Sequence, residues 1–176
     1  MVHERQIADS PFPGDEGYAS EVVRERLAAA LDQTVPSYLA AVAALGGARL
    51  LVPVVAEVTR TGSVPDAHGR GLSTDKEADM AVVGLQTPDG RRAAVAFTGQ
   101  DSLRAWHPQA RPVPVTIDKA AAAALDDRAD ALIIDPAGPA PLALERDLLS
   151  SFAAGHRLVI LDDGGYGWLT SAPGPA

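Results

Sequence analysis

Apolar and polar positions fall into short alternating blocks between residues 73 and 139. STDKEADMAVVGL leads into a turn at TPDG, resumes as RRAAVAFTGQDSLRAWHPQARPVPV and closes on ADALIIDPAGP. The pattern predicts a β-hairpin, a short helix, a proline-stiffened strand, a second helix and a buried strand. The hairpin strands, 80–85 and 92–97, flank Pro88, Asp89 and Gly90, where proline presets the turn dihedral and glycine accepts positive φ. Thr98, three residues before Asp101, gives a start resembling a capping box. Leu103 and Trp106 share one side of the short helix, and Pro108 stops it. Pro112 and Pro114 force residues 111–115 into an extended conformation. An alanine-rich helix over about 118–126 precedes the apolar strand 132–134, which ends at Asp135 and Pro136.

The flanking segments read less sharply. Residues 1–19, punctuated by Pro11, Pro13, Gly14 and Gly17, are expected to form a flexible N-terminal arm. A helix capped by Ser20 would present Val23, Leu27, Ala30 and Leu31 as one apolar face. A second helix starts near Pro36, carries Leu39, Val42 and Leu45, and ends at Gly46 and Gly47. Residues 49–58 are apolar nearly throughout and predict a buried strand, although Pro53 asks for an edge position or a bulge. Residues 60–77 form the longest linker, expected to be the most mobile internal segment. Pro139 and Pro141 bracket another helix start, with Leu144, Leu148 and Phe152 on its face and Gly155 at its end. A last strand over 158–161 has no obvious partner and reads as an addition to the core.

These elements predict an α+β fold with a sheet of about five strands and helices packed against it. The domain spans residues 20–155, and 156–176 form a C-terminal extension. At 176 residues the chain can bury roughly 70% of its unfolded surface without staples. It contains no cysteine, so disulfides, thiolate metal sites and cysteine catalysis are excluded. The net charge of −8 disfavours nucleic acid and anionic membrane surfaces as partners. No charged start followed by an apolar run is visible, and no stretch approaches a membrane span. A cytoplasmic protein is the expectation.

The search for chemistry returns no catalytic residue. His3, His68, His107 and His156 lack ligand spacing, and no metal or cofactor is expected. Ser73-Thr-Asp-Lys76 matches S-x-x-K without its companion motifs, and nucleophile-elbow and phosphate-loop signatures are absent. Asp162-Asp163-Gly164-Gly165 reads as a solvated acidic turn. Four residues remain as binding candidates. Lys76 and Asp79 either make an exposed, salt-bridged strand entry or shape a polar recess beside the long loop. Trp106 either closes the core or stacks with Arg111, which otherwise pins a loop. Asp135 reads as a turn acid whose carboxylate caps nearby N–H groups, at the carboxyl end of a strand where α/β sites often sit.

RLLVPVVA, DKEADMAVV, the FTGQDSLRAW run, ARPVPV and IIDPAGP together resemble the SseB N-terminal domain family in its actinobacterial form. The resemblance covers about residues 12–152. It implies an α+β domain with a mixed or largely antiparallel sheet. It implies no established activity, since the family name records a serine-sensitivity phenotype, and no catalytic residues carry over. The leading expectation is a binding or regulatory module, acting on protein partners and without enzymatic activity. One alternative is an enzyme acting on a small metabolite at a pocket near residues 60–77. Another is a structural subunit that self-associates through an exposed edge or the terminal arm.

Overall fold

The computed structural model describes residues 12–56, 80–82, 84–86 and 90–170. The chain runs α1 (Glu21–Ala29), α2 (Val35–Leu45), β1 (Arg49–Ala56), β2 (Met80–Val82), β3 (Gly84–Gln86), β4 (Arg92–Ala96) and α3 (Gln100–Trp106). It continues through β5 (Arg111–Thr116), α4 (Ile117–Asp126), β6 (Ala131–Ile134), β7 (Leu142–Glu145), α5 (Arg146–Ala153), β8 (Arg157–Ile160) and β9 (Tyr166–Leu169). The fold is α+β, with both mixed and antiparallel sheets.

Nine strands, rather than about five, appear among the described residues because the sheet is broken into short pieces. Strands β2-β1-β5 form an antiparallel sheet, β3-β4-β6-β7 a mixed one, and β8-β9 a hairpin. Among the described residues, only β4 and β6 pair in parallel. Leu51 and Phe97 exchange two backbone hydrogen bonds, of 2.8 and 2.9 Å, which stitch β1 to the end of β4. The stretch 80–85, expected as one hairpin strand, is shared between sheets. Val82 pairs with Val54 in β1, whereas Gly84 pairs with Ala94 in β4. Gly90 has φ 87°, as the turn requires. Pro88 and Asp89 lie outside the described residues.

The prolines are placed by strand parity. β1 is central, so the edge, one of the two positions expected for Pro53, is not the one it takes. The N–H of Leu51 points toward Phe97, so that of residue 53 would point to the same side. The missing donor of Pro53 thus falls between the Leu51 bridge and the register with β2, which begins at Val54. On the other side, Pro53 lies opposite Pro112 and Leu51 opposite Pro114. Positions 111, 113 and 115 direct their N–H groups at β1, and both β5 prolines face the open edge. A proline-bearing edge cannot extend the sheet to another chain along its full length.

β4 is buried on both faces. Ala94 and Ala96 join Leu132, Ile134, Leu142 and Leu144 under the helices, with Val42, Leu45, Ile117, Leu149 and Phe152 completing the main core. Val95 and Phe97 face the opposite side, with Leu51, Leu103 and Ala110.

Three sequence expectations need correction. Leu31 is exposed because α1 stops at Ala29 and a 3-10 turn over Ala30–Asp32, followed by Gln33 at φ 59°, swings the chain away. The segment after Pro141 opens with β7, not a helix; Leu142 and Leu144 point inward and Ala143 and Glu145 outward, and the helix begins at Arg146. β8 does have a partner: it pairs with β9 across the Asp162–Gly165 turn. The Leu161 N–H donates to the Gly165 carbonyl, which fixes the parity of that hairpin. The backbone groups of Leu158, Ile160, Tyr166 and Trp168 therefore point outward and have no backbone partner among the described residues.

Candidate functional site

Parallel β4 and β6 open their carboxyl ends on the same side of the sheet, the place where α/β proteins assemble sites. β4 runs into Thr98 and Gly99 and then α3; β6 runs into Asp135. The ladder extends one step further, with the Asp135 N–H donating to the Ala96 carbonyl at 2.9 Å. Asp135 then turns the chain at φ 48°, a left-handed conformation that aspartate tolerates better than most residues. Gly138 closes the turn by donating to the Asp135 carbonyl at 2.8 Å, and a Cβ there would stand 3.0 Å from that of Asp135.

This turn aims a carboxylate into the interior. Asp135 is 4% exposed. Its Oδ1 accepts from the Thr98 N–H at 2.9 Å and the Ser102 hydroxyl at 2.6 Å, and its Oδ2 accepts from the Thr98 hydroxyl at 2.6 Å. Thr98 and Ser102 are 2% and 6% exposed, so both hydroxyls are shielded from solvent. A buried carboxylate without donors would be very costly; with three it is satisfied. The Thr98 hydroxyl is thereby drawn away from capping α3, whose N-cap is Gly99.

Arginines tie this knot to its surroundings. Arg24 of α1 directs Nε at the Thr98 hydroxyl, 3.4 Å away, and bonds the Asp101 carboxylate at 2.6 Å. That bond holds Asp101 below the usual carboxylate range, against the opposing effect of burial, and raises Arg24 above its ordinary value. Arg49 of β1 bonds the Thr98 carbonyl at 3.0 Å, the Asp15 carboxylate at 2.9 Å and the Tyr18 carbonyl. The part of the expected flexible arm that is described, residues 12–19, is thus tied across the strand ends. Leu27, Ala28, Leu31, Pro139 and Ala140 line a recess of about 100 Å³ beside Arg24 and Asp135.

The expected site residues are not gathered here. Lys76 and Asp79 lie outside the described residues. Trp106 ends α3, half-buried, with its ring 5.4 Å from that of Phe97 and packed on the cluster that includes Leu85 of the hairpin. Arg111 is exposed at the start of β5, and no ring–guanidinium contact joins it to Trp106 among the described residues. Asp135 does accept N–H groups as a turn acid would, but from Thr98, 37 positions away. Thr98, Ser102, Arg24 and Arg49 were missed: hydroxyls and arginines at ordinary spacings carry no local signal. Among the described residues, no group of three or more ionisable ligands could hold a metal, and no helix is long and apolar enough to cross a membrane.

Residues 23–151 match the family described as SseB protein N-terminal domain, and the chain belongs to that family. No curated protein and no solved structure matches the chain.

Proposed function

We propose that this member of the SseB N-terminal domain family is a cytosolic protein-interaction module without enzymatic activity. The observation that carries the reading is the hairpin surface. Ile160, Leu161, Trp168 and Leu169 are 54, 45, 39 and 60% exposed, and all four fall within ten residues of the chain. Scattered exposed leucines need no explanation, but this short hairpin exposes large apolar side chains on both faces, Ile160 and Trp168 on one and Leu161 and Leu169 on the other, which leaves it open to a partner. Outward-pointing backbone groups on the same hairpin add donors and acceptors that a partner strand can satisfy. The hairpin lies beyond the residues matched by the family, so its partner would be particular to chains carrying this extension.

The strand-end site supports a binding module over an enzyme. Its carboxylate and both hydroxyls are buried and spent on one another. The recesses beside it and beside β3 hold about 100 and 150 Å³, below the roughly 300–1,000 Å³ of metabolite pockets. A wider hollow of about 310 Å³ at the α1–α2 elbow is lined by Ala30, Gln33, Thr34, Val35 and Tyr38. Its sole ionisable group is the Tyr38 phenol, which donates to the Ala143 carbonyl.

The test compares the intact chain with an Ile160→Lys/Leu169→Lys double variant as bait in cross-linked lysates. Both side chains are exposed, so the fold is expected to survive. Partners recovered by the first and lost by the second support the reading. No reproducible partner, or the same partners with both baits, overturns it. The outward-facing edges also favour a second reading, self-association through β8 or β9, which sedimentation at several concentrations separates from the first.

A further inference from the structure

We infer that the groove between Arg49 of β1 and the start of α3, at the carboxyl end of β4, is a recognition site for an extended acidic segment of Asp-x-Gly type, which residues 15–18 occupy in cis. The groove is built from one largely covered arginine side chain and the main chain where β4 runs into α3. The Arg49 side chain is 11% exposed, and its three donor groups go to the Asp15 carboxylate, the Tyr18 carbonyl and the Thr98 carbonyl. The Gln100 backbone N–H donates to the Gly17 carbonyl at 2.8 Å, and its side-chain amide reaches the Glu16 carbonyl at 3.4 Å. The occupant is therefore read through one carboxylate and three consecutive carbonyls.

Two further features define what fits. Gly17 has φ 79°, and a Cβ there would lie 2.4 Å from the Gln100 side-chain nitrogen, so the second residue after the acid must be glycine. Asp15 Oδ1 accepts from the Gly17 N–H at 3.0 Å, so the acid also shapes the turn that presents the carbonyls. Tyr18 is 77% exposed, so recognition does not use its ring. An occupant held by polar ties, with Pro13, Gly14 and Tyr18 exposed, can leave without unpacking either apolar core. Opening leaves the Arg49 guanidinium without its carboxylate, and that deficit is met by any second segment of the same chemistry. A partner protein carrying an exposed Asp-x-Gly turn would thus exchange with the chain's own strap. The surface is separate from the hairpin, and the inference stands without that reading.

The experiment uses the full chain carrying Gly17→Val, which expels its own strap, and a labelled synthetic peptide with the sequence of residues 12–19. Fluorescence anisotropy is expected to show at least tenfold tighter binding to the variant than to the unmodified chain, where the tethered copy competes. A peptide with Asn in place of the Asp should bind at least tenfold more weakly, and Arg49→Met in the opened chain should do the same. Asp15→Ala opens the groove without backbone strain and serves if Gly17→Val does not fold. Equal binding to opened and unmodified chains, or equal binding of the Asp and Asn peptides, overturns the inference.

Discussion

The Asp135 knot makes the sharpest quantitative prediction. Among the described residues, Thr98→Val keeps the shape of the side chain and deletes the only donor to Oδ2, while Ser102→Ala deletes one of two donors to Oδ1. A hydrogen bond to a charged group is worth about 1.5–3 kcal/mol, and a buried acceptor left bare costs its full desolvation. Thr98→Val should therefore cost close to 3 kcal/mol. Ser102→Ala should cost closer to 1.5, because the Thr98 N–H still serves Oδ1. The two hydroxyls share one carboxylate, so the double variant should depart from additivity by at least about 0.5 kcal/mol. Asp135→Asn keeps a residue that accepts left-handed φ, and so reports the charge apart from the turn. Urea titrations at pH 7 give these differences as midpoint shifts at constant slope. If Thr98→Val and Ser102→Ala each cost under about 0.5 kcal/mol with an unchanged slope, the carboxylate is not held as described, and the strand ends are tied some other way.

Other outcomes follow from single residues. Gly90→Val should cost about 1–3 kcal/mol, read as a urea midpoint, because φ 87° strains a β-branched residue although the site is otherwise open. Trp106→Ala should cost about 2–3 kcal/mol, below the usual range for a fully buried aromatic since the indole is half-buried; a blue-shifted emission lost in the variant checks its packing on Phe97. The Arg24–Asp101 pair is partly exposed, so Asp101→Asn should cost only about 0.2–1 kcal/mol and less in high salt. Its sign with pH is fixed: Asp101 is lowered in the folded chain, so the stabilisation is present above the unfolded carboxylate value near about 3.9 and lost as pH falls through the folded one. Thermal melts of the two chains should accordingly converge in acid.

Elements with a strong local period were legible and those set by partners were not. Helix α4, the Gly90 turn and the extended prolines follow from patterning and dihedral limits alone. β7 was hidden by coincidence: Leu144 sits four residues before Leu148 and eight before Phe152, so a strand residue completes a helical stripe. Four residues of strand are too few for alternation to outweigh that. Pro53 misled because a missing donor implies an unpaired position, and an unpaired position need not be an edge. Here it falls where β1 passes from its bridge with Phe97 to its register with β2.

The site was harder to read for a related reason. Composition reports how much apolar surface a segment can bury by itself, and by that measure residues 12–19 have little to hold them. What orders them is supplied from elsewhere: a guanidinium on an otherwise apolar strand and the first amide of a short helix. The same holds for Asp135, whose donors come from Thr98, just past the neighbouring strand, and Ser102 of α3. In both cases the partners meet where β4 runs into α3, and β4 is fixed by two apolar cores. Polar specificity here is subordinate to packing, since the hydroxyls and the arginine can be aimed only after the strand ends are in register. A substitution in β4 that shifts that register, such as Ala96→Leu at a fully buried position, should therefore release the strap and loosen the carboxylate together. Loss of Asp135 alone should loosen the strand ends while leaving the Arg49 ties in place. Amide exchange at Gln100 and Asp135 separates the two outcomes, and protection left unchanged at either amide in the Ala96→Leu chain would refute this order of dependence.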